Sequence, residues 1–239
     1  MVNNWSELLT AVKEAQKDIR GNGEVWFRGH ANSSYVLMPS LFRYDNAIKK
    51  EKEIFRLYKQ VSQKISPNRI SDWETLFDMQ HYYSPTRLLD WTENLGTALY
   101  FAVQYPKENT NAALYILDPI ALNRYSQKTK IPNIPDDSDG MDYIENYLEK
   151  RPYPPKYPIA IRPNFISDRL SAQRGAFTVH GDDLTPLEKL CPDAIKRIDI
   201  SRECFPEITE FLDIANITEL TVFPDMSGLA LYIRKQFFS

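Results

Sequence analysis

The sequence has little cysteine and histidine, and it has no long apolar run. Its two cysteines, Cys191 and Cys204, cannot form a disulfide framework, and neither lies at a metal-ligand spacing. The three histidines have no paired i, i+4 arrangement, so we expect no bound metal. The first twenty residues have neither the apolar core of a signal peptide nor the length of a membrane span. These absences predict a cytoplasmic protein without a membrane partner.

An excess of charge is also missing. The 239 residues carry a formal net charge of -3, too small to create an overall field that gathers nucleic acid. The small net charge does not exclude a local basic patch. The hydrophobic content of 43% is ordinary for a globular protein, and the length predicts one domain over residues 1–239. We expect a proline-rich excursion inside it at about 119–156.

Hydrophobic spacing predicts both helices and strands. A helix over 51–65 places five apolar side chains on one face, which we expect to lie on the core. Ser71 and Glu74 predict a capping box at the start of the next helix. Because helices and strands do not alternate regularly, an α+β fold is favoured. The predicted strands are short and rich in branched or aromatic residues, and they lie at 24–28, 112–117, 157–162, 176–180 and 194–200.

Three dense stretches each contain one histidine, and we expect them to meet around one site. They read WFRGH at 26–30, QHYYSPTRLLDWTENLGTALYFA at 80–102 and RLSAQRGAFTVHG at 169–181. A partly buried Arg28 needs a partner, which is either a structural carboxylate or a ligand phosphate or carboxylate. Gly29 either allows close approach of a backbone or ligand, or supplies a turn.

The second stretch leads into a helix. Asp90 with Glu93 three residues later fits an N-cap, and the same helix start could bind a phosphate beside Arg87 and Thr92. In the third stretch, Gln173 either orients a ligand hydroxyl or closes a turn. Both alternatives stay open for each residue.

Five segments together resemble an FRG domain, named for Phe-Arg-Gly. They are WFRGH, Y-x-L-x-PSLFR at 35–43, QHY-x-x-PTRLLDWT with ALYFA, AQRGAF, and VFPDMSGLA at 222–230. The resemblance runs from about residue 24 to 232. It implies a bacterial protein in a defence or mobile-element setting, and it implies no particular reaction.

A second resemblance is to mono-ADP-ribosyltransferases of the Arg-Ser-Glu type. Residues 27–29 are similar to the aromatic-Arg-Gly strand of these enzymes. Residues 90–92, followed by Ala98 and Phe101, are similar to their Ser-Thr-Ser segment. Residues 173–175 are similar to their Gln-x-Glu motif. The position of the catalytic glutamate is Gly175. Three alternatives stay open: another carboxylate replaces it, the domain binds a nucleotide without transferring it, or the resemblance to these enzymes is false. This resemblance implies a split sheet at the core of the α+β fold.

The sequence therefore predicts a cleft for a phosphate-bearing, NAD-like nucleotide. One hypothesis is an ADP-ribosyltransferase or NAD hydrolase, with NAD as substrate, no other cofactor, and a protein or nucleic acid as possible target. The alternative is a non-catalytic sensing or interaction module. Arg28 would clamp the pyrophosphate, Gln80 or His81 would contact a ribose, and Thr92 would steady Arg28. The catalytic candidates are Asp90 and Gln173, and the ligand-binding candidates are Arg28, Gly29, Gln80, His81, Thr86, Arg87 and Thr92.

Overall fold

The computed structural model describes residues 1–19, 23–65, 71–104, 109–136, 141–163 and 167–238. Helices and strands are mixed along the chain, as an α+β fold requires. The helices are α1 Trp5–Ile19, α2 Ala47–Ile65, α3 Asp72–His81, α4 Leu95–Val103, α5 Pro119–Tyr125, α6 Asp168–Gln173, α7 Leu187–Leu190, α8 Phe205–Ile214, α9 Glu219–Val222 and α10 Met226–Phe238. The strands are β1 Trp26–His30, β2 Leu88–Thr92, β3 Ala112–Leu117, β4 Asn133–Ile134, β5 Ile159–Pro163, β6 Gly175–Val179 and β7 Ile195–Ile200.

The strands form one sheet in the order β4-β5-β6-β2-β1-β3-β7. Neighbours are antiparallel except β4 and β5, which are parallel. The ladder is continuous from β5 to β2 and from β1 to β7, but β1 and β2 share only the pair Phe27 and Thr92. The two halves of the sheet are therefore joined at one point and open beyond it.

Both faces of the sheet are covered. On one face, α1, α4 and α8 pack with Phe27 and Ile116, while α2 and α3 cover Leu88 and Phe177 further along. Successive side chains of a strand alternate between faces, so Trp26 and Trp91 enter a separate core on the opposite side. This alternation also sends Arg28 to the Trp26 side, at the opening between β1 and β2.

The five predicted strands are all present, with ends that differ by up to two residues. Strand β2 was not predicted, because Asp90 and Glu93 imitate a helix start. That interpretation is wrong: Asp90 lies within β2 opposite Phe177, and α4 is capped by Asn94, whose Oδ1 accepts from the Gly96 and Thr97 amides. The anion site expected at Asp90 to Thr92 is therefore not a helix N-terminus.

The capping box of Ser71 and Glu74 is confirmed at the start of α3. Within the proline-rich excursion, α5 and β4 are followed by a π-helical turn at Ile144–Leu148, while residues 137–140 lie outside the described part. None of the described helices is long and apolar enough to cross a membrane.

Candidate functional site

A cleft of about 380 Å³ lies where β1 and β2 separate. Its floor contains the Arg28–His30 end of β1 and the Asp90–Thr92 end of β2. Helix α4 forms one wall through Thr97, Ala98 and Phe101. The volume lies within the range of small-molecule sites, roughly 300–1,000 Å³.

Arg28 is fixed in this opening by two different partners. Its Nη1 donates to the backbone oxygen of Asp90 at 2.6 Å and lies 3.4 Å from Asp90 Oδ2. Its Nε donates to His30 Nε2 at 3.0 Å. The Asp90 carbonyl thus bonds a side chain where a continuous sheet would supply a strand N–H. The Arg28 guanidinium thus takes the place of a ladder contact at the opening between β1 and β2.

The remaining Nη2 of Arg28 has no hydrogen-bond acceptor among the described residues. The side chain is 19% exposed and lines the cleft, so these two N–H groups are available to a ligand. Burial lowers the pKa of Arg28, Asp90 opposes that shift, and the group stays charged.

His30 is neutral, and its tautomer follows from its partners. Its pKa is lowered to about 3, first by burial and then by the Arg28 charge. Arg28 is always a donor, so Nε2 must be the unprotonated nitrogen. The proton therefore lies on Nδ1, which donates to the Tyr35 carbonyl at 3.3 Å. His30 orients the guanidinium without adding charge.

Asp90 is oriented through a chain of hydrogen bonds. Gln80 Nε2 donates to Asp90 Oδ2 at 2.9 Å, and Gln80 Oε1 accepts from the buried Thr86 hydroxyl. Thr86 in turn accepts from the Leu88 amide at 3.1 Å, so the chain ends in the backbone of β2. Thr86 therefore positions Gln80 from below, while the exposed Asp90 carboxylate faces the cleft.

Two further arginines line the cleft, and sequence reasoning gave neither a role in the site. Arg43 follows the PSLF turn and donates to the Met38 carbonyl at 3.0 Å, and its charge lowers the pKa of both Arg28 and His30. Arg169 on α6 lies over the ring of Phe223 at 4.5 Å. Neither has a carboxylate within ion-pair distance in the described part of the chain. The cleft is therefore cationic although the whole chain is acidic.

Aromatic side chains form the rim. Tyr83 is 77% exposed and accepts from Arg169 Nη2 at 3.0 Å through its hydroxyl. Tyr35 and Phe101 also line the cleft with exposed rings. Such rings supply flat surfaces on which a base or nicotinamide can stack. The pattern of cations beside aromatics could have been found in PSLFR and HYY, which lie within the quoted motifs.

Arg87 is not in the cleft, which corrects the expectation that it binds ligand. Its side chain is 0% exposed and forms a two-pronged ion pair with Glu51 on α2. The carbonyls of His180 and Gly181 and the carboxylate of Asp182 take its other N–H groups. All five donors are used, so no ligand phosphate can reach this guanidinium.

Three other candidates have structural partners. Thr92 does not steady Arg28; its hydroxyl donates to the Gln173 carbonyl at 2.6 Å and joins β2 to α6. Gln173 lines the cleft, but its amide nitrogen donates to the Val222 carbonyl at 3.1 Å. His81 packs edge-on against Tyr82 and is not among the lining residues of the cleft.

Gly29 is needed for close packing of a backbone. A Cβ at this position would lie 1.9 Å from the carbonyl oxygen of Ala98 on α4. Of the two roles considered for Gly29, close approach is therefore the one observed, and the approaching backbone belongs to the protein.

Asp90 is the carboxylate of this cleft. Gly175 begins β6 opposite Thr92, and a Cβ there would meet the Leu170 side chain at 3.0 Å. Glu93 and Glu203 are the other carboxylates near the motifs that could replace the missing glutamate, but Glu93 is paired with Arg162 at 2.9 Å, and Glu203 does not line the cleft. The described residues contain no cluster of three histidine, cysteine or acidic side chains able to hold a metal.

The fold and site define an α+β protein with an arginine-lined cleft at the split of its sheet. The family model of the FRG domain matches residues 23–111, so this segment of the chain is similar to an FRG domain. The match includes Arg28, Arg43, Gln80 and Asp90, whereas α6 and β6 lie outside it. No curated protein and no solved structure matches the chain.

Proposed function

We propose that the cleft binds the phosphates of an NAD-like nucleotide. The observation that carries this proposal is the Arg28 guanidinium, fixed by Asp90 and His30 with Nη2 still available. A planar guanidinium with unused N–H groups matches the oxygens of a phosphate. Arg43 and Arg169 add charge on the same cleft, so a pyrophosphate with two negative charges is favoured over a neutral ligand.

The rest of such a nucleotide has matching surfaces. Tyr83 and Phe101 offer exposed rings for the nicotinamide or the adenine. Gln80 lines the cleft beside Asp90, where a ribose hydroxyl could donate to the carboxylate. Stacking would thus be supplied by Tyr83 and Phe101, and phosphate recognition by the arginines.

Asp90 is the residue through which this cleft would catalyse a reaction. In ADP-ribose transfer or NAD hydrolysis, the bond from ribose C1′ to the nicotinamide nitrogen breaks, and the acceptor oxygen or water forms a new bond to C1′. Nicotinamide leaves with the bonding electron pair, and the acceptor loses a proton. A carboxylate near the ribose stabilises the positive charge that develops. Because position 175 is glycine, Asp90 is the group proposed for this role.

A non-catalytic module is the second candidate, and one observation favours it. Asp90 Oδ2 already accepts from Gln80 and lies near Arg28, so its charge is partly neutralised by the protein. A domain that senses a nucleotide needs the arginines and aromatic rings but no carboxylate at C1′. In this case, the chain would act as a sensing or interaction module in a bacterial defence or mobile-element system.

Binding and turnover separate the two candidates. A thermal-shift screen against NAD, ADP-ribose, ADP and sugar phosphates should show stabilisation by the pyrophosphates, because a ligand of the folded state raises Tm. The Arg28→Gln variant should lose this shift, whereas Arg202→Gln, an exposed arginine away from the cleft, should keep it. Absence of any nucleotide shift in the wild type contradicts the proposal.

Mass spectrometry of NAD incubated with the protein then measures nicotinamide release. Asp90→Asn should keep the fold, because asparagine still accepts from Gln80, and it should lower turnover by about 100-fold or more. Binding of NAD without turnover by the wild type selects the sensing module.

A further inference from the structure

A separate cavity lies between α4, α8, α9 and α10. Its volume is about 470 Å³, and it shares no lining residue with the nucleotide cleft. The volume is within the range of small-molecule sites, roughly 300–1,000 Å³. Its apolar walls are formed by Val103, Leu212, Ile217 and Leu231. An inference about this cavity is therefore independent of the nucleotide proposal.

The wall of this cavity contains a buried carboxylate. Glu219, the first residue of α9, is 5% exposed. Its Oε1 accepts from Gln104 Nε2 at 3.3 Å and lies 3.4 Å from Lys235 Nζ. Both partners also line the cavity, so the carboxylate lies at its surface. The second oxygen, Oε2, is buried and has no hydrogen-bond partner among the described residues.

The environment of Glu219 favours a ligand that brings a donor. A buried carboxylate is costly unless hydrogen bonds and an opposite charge compensate for the lost water. Lys235 compensates only weakly, because its side chain is 47% exposed and its contact is long. This single long contact also leaves Lys235 able to turn outward as a ligand enters. An ammonium that reaches Oε2 would form a charge-assisted hydrogen bond.

The charges of the lining are balanced. Glu219 and Asp213 supply two carboxylates, and Arg234 and Lys235 supply two cations. Arg234 has no carboxylate within ion-pair distance in the part of the chain that the structure describes. A ligand with one charge would meet as many repulsive groups as attractive ones. A zwitterion avoids this conflict, because its two charges can face the adjacent Glu219 and Lys235 in opposite order.

We propose that this cavity binds an α-amino acid with an apolar side chain. Its ammonium would donate to Glu219 Oε2, and its carboxylate would accept from Lys235. An α-amino acid carries both charges on one carbon, which suits protein charges only 3.4 Å apart. Its side chain would lie against the apolar walls at Leu212 and Ile217.

Isothermal titration calorimetry with L-leucine, L-methionine and L-phenylalanine tests the proposal. At least one of them should bind with a stoichiometry of one. Glu219→Gln keeps an acceptor for Gln104 and should weaken that binding at least about tenfold, because the charged acceptor is lost. Glu210→Gln is the matched control: Glu210 is an exposed glutamate on α8 outside the lining, and this variant should bind like the wild type.

Analogues of leucine test each charge separately. 4-Methylpentanoate lacks the ammonium and 3-methylbutylamine lacks the carboxylate, so each should bind at least about tenfold more weakly than leucine if leucine is the amino acid bound. Lys235→Gln alters a half-exposed position, which the fold should tolerate, and it should weaken binding of the amino acid as well.

Four results overturn the proposal. They are no binding of any of the three amino acids, equal binding of leucine and either analogue, unchanged affinity in a folded Glu219→Gln variant, and unchanged affinity in Lys235→Gln. Circular dichroism establishes whether each variant is folded. If Glu219→Gln does not fold, the analogues and Lys235→Gln decide the outcome.

Discussion

Replacing Arg87 by methionine should destabilise the fold strongly without altering the lining of the cleft, because Arg87 is not one of the lining residues. The substitution removes both prongs of the pair with Glu51 and leaves a buried carboxylate whose remaining partner is the Tyr143 hydroxyl at 3.0 Å. Breaking one partner of a buried ion pair costs about 3–5 kcal/mol. The carbonyls of His180 and Gly181 lose donors as well.

The expected change in Tm follows from the size of the chain. For a protein of this length, each kcal/mol lowers Tm by about 2–4 °C, so the variant should melt about 6–20 °C lower. Urea unfolding followed by tryptophan fluorescence measures the free energy directly. The double variant Arg87→Met with Glu51→Leu should recover much of the loss, because no buried charge remains.

A matched variant controls for the loss of any arginine. Arg202→Met removes an exposed guanidinium and should change the free energy of unfolding by less than about 0.5 kcal/mol. A loss below about 1 kcal/mol for Arg87→Met, or a double variant no more stable than the single one, would refute the structural assignment of Arg87.

Two further predictions concern the strand that carries Arg28. Gly29→Ala should lower the free energy of unfolding by about 1–3 kcal/mol or more, because the new Cβ would meet the Ala98 carbonyl. Gly175→Ala should lower it less, because its Cβ would meet a leucine side chain. Comparing the Tm values of the two variants tests this. His30 should make the fold acid-sensitive: its folded pKa of about 3 lies below the ordinary 6.5, so the unfolded chain binds the proton first and stability falls as pH drops from about 6.5 to 3. His30→Gln should flatten that slope by up to about 1.4 kcal/mol per pH unit in urea titrations, and an unchanged slope would show that His30 is not the group responsible.

The sequence predicted the parts of the site that depend on local chemistry. Arg28 needed a partner, and the structure supplies two of them on its own strand and the neighbouring one. Gly29 was expected either to allow a close approach or to supply a turn, and the close approach of α4 is the role observed. Both inferences rest on the chemistry of one residue: a buried guanidinium needs a partner, and glycine has no Cβ.

Long-range pairing explains the failures. Asp90 and Glu93 satisfy a capping pattern, but pairing of residues 88–92 with β6, more than eighty residues later, makes that segment a strand. The sequence around Arg87 predicted a ligand-binding role, but the fold pairs Arg87 with Glu51 on α2, which is distant in sequence. Similarly, helical spacing over 51–65 predicted one apolar face on the core, but only Ile54 and Tyr58 of that face pack against it, whereas Leu57, Val61 and Ile65 are exposed. Periodicity defines a face and leaves its partner undetermined.

The most direct test of the central claim is the dissociation constant of ADP-ribose, measured by isothermal titration calorimetry for the wild type and Arg28→Gln. Loss of charge-assisted hydrogen bonds should weaken binding by about 10- to 150-fold, which corresponds to roughly 1.5–3 kcal/mol. Arg202→Gln should bind like the wild type. Equal affinity of the wild type and Arg28→Gln would contradict the assignment of Arg28 as the phosphate ligand of this cleft.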